Sequence, residues 1–282
     1  MKREGANFNR KTALWGSAVL AVLGPVGLTT AFGQVSFSNT AGLAYSQNFN
    51  GLANTGTAPW VNNNHSGLSA GASPASTAGW YAWAVTSATT PTSLTASAGS
   101  NTAGLYSFGT GTGTDRALGA YPNNGTGAFY VGLQLQYTGS ISLNQLQVIY
   151  RGEVWQDSQN ETTTMTFEYA VSNSSIAINS GSVTWNPVTQ LAYQYTGDGS
   201  SSAEDGNATG NFSTKNFVIT GNNLITTANN FIMLRWTIPN TGGADHGFAI
   251  DDVVVAVPEA TTWAAGAFLG VAVFAGYRRT RR

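Results

Sequence analysis

From position 129 onward the chain alternates apolar and polar residues at period two. "AFYVGLQLQYT" puts Phe129, Val131, Leu133 and Leu135 on one face. "LNQLQVIYRGEVWQ" does the same with Leu146, Val148 and Tyr150, and then Val154. "TTTMTFEYAVS" aligns Met165, Phe167, Tyr169 and Val171, and "FIMLRWTI" and "GFAIDDVVVAV" close the series. Side chains return to one face at every second residue only in a strand, so these runs predict half-buried strands. No amphipathic run of ten or more residues at helical spacing stands between them. The intervening "NNNHSGLSAGASPASTAG" and "TGDGSSSAEDGNATGN" read as loops by composition. The 34 glycines and abundant Ser, Thr and Asn disfavour helices further. The expectation is an all-β fold of about twelve strands, an antiparallel two-sheet sandwich of jelly-roll type.

The two ends differ from this body. "MKREGANFNRK" is basic and the following "TALWGSAVLAVLGPVGLTTAFG" is apolar, the form of a secretory leader with an expected cleavage after Gly33. At the other end, residues 260–277 carry no charge and precede Arg278, Arg279, Arg281 and Arg282. That length suffices for a transmembrane helix, and the arginines would stay on the cytoplasmic side. The division expected is a signal peptide over 1–33 with a helical apolar core, a β-sandwich domain over 34–257, and a membrane-spanning tail over 258–282. The body would then be exported.

The tail resembles the PEP-CTERM sorting signal of exopolysaccharide-producing Gram-negative bacteria. Val257, Pro258 and Glu259 match its short motif, with Ala260 in place of the second proline. The resemblance implies an exosortase as partner, anchoring in the inner membrane through the helix, and a final location at the cell surface or outside the cell. A plain single-span anchor is the alternative. "YSQNFNGL" (45–52) and "DHGFAIDDVVV" (245–255) are similar to the first and last strands of exported jelly rolls and MAM-like, concanavalin-like domains. That likeness implies that the strand around Asn48 to Leu52 lies beside the one around Phe248 to Val255.

Charge excludes some functions. Residues 34–257 hold four Lys or Arg against eleven Asp or Glu, a formal charge of −7. Such a body is unsuited to nucleic acid, which is held by neutralising phosphates. It is compatible with calcium. The absence of cysteine rules out thiol chemistry and disulfide staples.

Four motifs carry the functional question. In "AIDD", strict alternation sends Asp251 and Asp252 to opposite faces, so one carboxylate must face an apolar surface and find a partner. The resemblance implies a structural calcium there, with Asn48 and Asn50 as further oxygen ligands; the alternatives are an ion pair, a capping role or simple solvent exposure. In "RGEVWQD", Arg151, Glu153, Trp155 and Asp157 share a face. Glu153 and Asp157 are the pair a glycoside hydrolase would need, and a surface ion-pair ladder is the plainer reading. Trp80 in "GWYAW", and Trp155, are candidates for stacking on sugar rings, against a core role. His65 and His246 lack any surrounding hydrolase or zinc motif, and His246 reads as a locally bonded turn residue. "GTGTGTD" (109–115) reads as a hairpin and not a phosphate loop. Together these features predict a non-enzymatic surface or matrix protein with a structural, adhesive or glycan-binding role. A polysaccharide-acting hydrolase using Glu153 and Asp157 is the rival.

Overall fold

In the computed structural model, the described residues are 35–63, 79–158, 160–242 and 245–258. The alternating runs form strands: β1 (Val35–Phe37), β2 (Gly42–Gln47), β3 (Thr57–Pro59), β4 (Trp80–Ala84) and β5 (Ser93–Ser97) come first. They are followed by β6 (Gly104–Phe108), β7 (Ala117–Tyr121), β8 (Phe129–Tyr137), β9 (Leu143–Gln156) and β10 (Thr162–Ser172). The last are β11 (Asn186–Pro187), β12 (Tyr193–Thr196), β13 (Phe212–Ile225), β14 (Phe231–Ile238) and β15 (Gly247–Val257). A single 3-10 turn, Thr189–Leu191, is the one helical element among the described residues.

Two sheets result. In sheet A, β14 lies between β8 and β10; β8 also pairs with β1 and β4, and β10 with β11 and β12. Sheet B runs β13-β9-β15-β7-β6-β5-β3, with β2 beside β15. The architecture is therefore all-β with two sheets, but not wholly antiparallel. The pairs β1–β8 and β5–β6 are parallel.

The inner faces meet on the residues that the period-two pattern selects. Leu133, Leu135, Leu146, Val148, Tyr150, Met165, Phe167, Leu234 and Trp236 are all buried in one cluster. Trp236 sits at its centre, 5.4 Å from Tyr150 of sheet B and 5.1 Å from Phe167 of its own sheet, both edge-on. Trp80 stacks on Trp236 at 6.0 Å, and its indole N–H donates to the Tyr45 hydroxyl at 2.6 Å. Because Tyr45 lies on β2, that bond ties sheet A to sheet B. Between β6 and β7 the "GTGTGTD" segment is a hairpin connection, as read. It is held by buried Arg116, whose Nε donates to Ser107 Oγ at 2.9 Å.

The expected meeting of the first and last strands occurs one step earlier in the chain. β2, not 48–52, pairs with β15, placing Tyr45 opposite Val255 and Gln47 opposite Val253. The chain leaves β2 through Phe49, whose φ of 53° and complete burial turn it into the core. Val257 ends β15 and Pro258 follows it. Among the described residues no helix is long and apolar enough to cross a membrane. The leader over 1–33, His65, Glu259, the tail helix and Arg278, Arg279, Arg281 and Arg282 lie outside the described residues.

Candidate functional site

Alternation on β15 breaks at Asp252. Its φ of 48° and the register shift between Asp251 and Val254 mark a β-bulge. Phe248 and Ile250 point inward before the bulge, and Val253, Val255 and Val257 point inward after it. Neither aspartate therefore enters the main core, contrary to strict alternation. Asp251 lies on the outer face of sheet B beside Arg151, its register partner, and is only 2% exposed. Asp252 is exposed.

That outer face carries a second small core of Tyr106, Phe108, Tyr121 and Trp155. Trp155 stacks on Phe108 at 6.0 Å and is fully buried. The Gly206 backbone lies flat on its indole, where a Cβ would come within 2.4 Å. Trp155 donates to Glu153 Oε2 at 2.8 Å, and Arg151 Nε lies 3.1 Å from Glu153 Oε1. The guanidinium of Arg151 also covers the Phe212 ring at 3.7 Å. The ion pair foreseen in "RGEVWQD" is thus present, but buried instead of on the surface. Burial pushes the Glu153 pKa up to about 7, with Arg151 pulling against it. Burial, then Asp252 and Glu153, push Asp251 up to about 10. Asp251 is accordingly a neutral carboxylic acid at pH 7, the form in which a carboxyl is least costly to bury.

Asp157 lies past the end of β9 and turns into a different cluster. Its Oδ1 is 3.3 Å from His246 Nδ1, both side chains being fully buried. Its Oδ2 accepts the Asp198 N–H at 2.9 Å. His246 makes long-range bonds where local ones were expected. Its Nδ1 accepts the Ser158 N–H at 3.2 Å, and its Nε2 lies 3.1 Å from the Glu161 carbonyl. Ser158 and Asp157 approach the same ring nitrogen, so the three do not form a nucleophile-base-orienter relay, which uses both nitrogens. A cleft of about 310 Å³ is lined by residues of both sheets, including Ala84, Thr95, Leu105 and Phe129. No charged side chain lines it, and neither Glu153 nor Asp157 reaches it.

Asn48 and Asn50, the further oxygen ligands the resemblance implies for calcium, both have hydrogen-bond donors on their amide oxygens. Asn50 Oδ1 accepts the Arg116 N–H at 3.1 Å, and Asn48 Oδ1 accepts the Asn50 N–H at 3.3 Å. Among the described residues no group of three or more Asp, Glu or His side chains could hold a metal.

Both tryptophans singled out for sugar stacking are inside, Trp80 at 1% and Trp155 at 0% exposure. Half-buried aromatic rings stand instead on the outer face of sheet A, beginning with the neighbours of Trp80. On β4, Trp80, Ala82 and Ala84 point inward and Tyr81 and Trp83 point outward, half-buried. Across the sheet, Trp83 stands opposite Tyr130 of β8, and Arg235 of β14 stands between Gly132 and Glu168. The 173–187 connection crosses this face, with Ile176 and Ile178 packed on Met233 and Ala170. It delivers Trp185 onto Arg235, whose guanidinium is held between Trp185 at 3.4 Å and Tyr130 at 4.1 Å. Arg235 Nε and Nη2 donate to Glu168 Oε1 at 2.9 and 2.7 Å, and Nη1 donates to the Ile178 carbonyl at 2.6 Å. Gln134 Nε2 donates to the Tyr81 hydroxyl at 3.1 Å. The result is a platform of half-exposed aromatic rings locked in place by buried polar bonds.

No protein-family model matches the chain, and no curated protein matches it. Solved structures with a similar course include the CBM22-1 xylan-binding domain from Paenibacillus barcinonensis Xyn10C, at 10% identity and a TM-score of 0.36, over 78% of this chain and 98% of that one. The enzymatically active domain of bacteriophage CBA120 tailspike protein 4 matches at 10% identity and a TM-score of 0.34, over 64% of this chain. Only 19% of the tailspike chain is spanned. The K3 cleaved adhesin domain of Lys-gingipain from Porphyromonas gingivalis w83 matches at 14% identity and a TM-score of 0.32, over 53% of this chain and 78% of that one. Likeness at this level carries no functional argument.

Proposed function

We propose that the chain is an exported, jelly-roll-type surface or matrix protein that binds polysaccharide without converting it. The outer face of sheet A is the binding site. One observation carries the reading: Tyr81, Trp83, Tyr130 and Trp185 form a half-exposed aromatic platform around an arginine bonded through all three of its guanidinium nitrogens. Half-exposed aromatic rings suit the apolar C–H faces of sugars, which stack on ring faces, and their hydrogen-bonding neighbours suit the hydroxyls. Rigid support from Arg235 lowers the ordering cost of binding. The burial of Glu153 and Asp157, each bonded in its own cluster, supports the binding reading over a hydrolase acting through these two residues. Export, PEP-CTERM-like sorting and an exosortase partner rest on the apolar leader and the arginine tail.

A glycan array with the purified protein tests the binding role. Tyr130→Ala and Trp185→Ala should each weaken the strongest signal about five- to tenfold, the loss of one stacking contact of roughly 1–1.4 kcal/mol. Retained binding in both variants would remove the platform from the account. Protease added to spheroplasts should degrade the body; full protection would contradict export.

A further inference from the structure

We infer that the polysaccharide taken by this face is uncharged, a conclusion that rests on the glycan-binding reading above. An arginine among aromatic rings invites the opposite reading, a seat for uronate or sulfate groups. Arg235 is not free for that role. Both of its bonds to Glu168 land on one carboxylate oxygen, a third goes to the Ile178 carbonyl, and the side chain is 7% exposed. What the pair presents at the rim is Glu168, 21% exposed, with Oε2 taking neither guanidinium bond. A carboxylate oxygen there accepts hydrogen bonds from sugar hydroxyls and repels an anionic sugar.

The remaining positions on the face are uncharged. Gln134, Gln136, Thr166, Ser172 and Thr237 point outward with the aromatic rings. Among the described residues no other cation compensates. Of the four in residues 34–257, Arg116 is buried against Ser107, Arg151 is paired with Glu153, and Lys215 lies on β13 of the other sheet near Tyr193. The platform thus lacks a positive group for a polyanion, within a body of formal charge −7.

Affinity electrophoresis of the purified protein tests this with neutral xylan, mannan and β-glucan against alginate and polygalacturonate. Runs at about 50 and about 500 mM NaCl bracket the range over which exposed charges are screened. At least one neutral polymer should bind, with a dissociation constant changing less than about twofold across the salt range, and the acidic polymers should bind at least about tenfold more weakly. Glu168→Gln should raise acidic binding relative to neutral binding. The salt series needs no variant and decides the matter even if Glu168→Gln does not fold. Retention by acidic polymers alone, or binding that falls steeply with salt, overturns the inference and leaves glycan binding standing. Retention by none overturns both.

Discussion

Asp251 illustrates how one residue sets a pH dependence. Its carboxyl is held protonated in the fold, with a pKa pushed up to about 10 by burial and by Asp252 and Glu153. A carboxyl raised in this way favours the folded state below its unfolded value, and that contribution is lost as pH rises through the folded value. Glu153, pushed up to about 7, acts in the same direction over a narrower window. Stability should therefore fall between pH 5 and pH 9, by up to about 1.4 kcal/mol per pH unit for each proton retained. Asp251→Asn should flatten this slope and melt higher than the unsubstituted protein at pH 8. Thermal melts across pH check both, and stability that climbs with pH would contradict the protonated assignment.

The inner faces of β8, β10 and β14, and of β9 from Leu146 onward, were legible in the sequence because their alternation is unbroken. The charges on their outer faces were legible too, in principle. Arg235 is the lone charge in "FIMLRWTI" and Glu168 the lone charge in "TFEYAV", each out of phase with its apolar neighbours. Their pairing depends on β10 lying beside β14, which no local pattern reveals. "GWYAW" offers aromatic residues in both phases, so sequence alone could not choose Tyr81 and Trp83 over Trp80. Trp185 was missed because it comes from a connection without periodicity. In β15 the bulge at Asp252 defeated the alternation argument. Asp252 sits in the left-handed region, open to Gly and tolerated by Asp, but strained for a β-branched residue. Asp252→Gly should leave stability within about 1 kcal/mol of the unsubstituted protein. Asp252→Val should cost about 1–3 kcal/mol. Urea denaturation measures both; equal stability of the two variants would argue against the bulge.

At the scale of the molecule, the two sheets hold one another through aromatic side chains. Trp236 touches Tyr150 across the interface, and Trp80 bonds to Tyr45 across it. Trp236→Ala should therefore cost about 3–5 kcal/mol and lower a single cooperative transition, not split it. Such a fixed interior leaves the outer faces free to differ. Sheet B buries Trp155 in the small core on its outer face, and sheet A gathers the half-exposed rings of Tyr81, Trp83, Tyr130 and Trp185 on its own. Indole N–H chemical shifts of the full chain report separately on the buried and the half-exposed tryptophans. Titration with fragments of the neutral polysaccharide that binds should shift the Trp83 and Trp185 signals and leave those of Trp80, Trp155 and Trp236 in place. Shifts confined to other tryptophans, with Trp83 and Trp185 unmoved, would contradict the account.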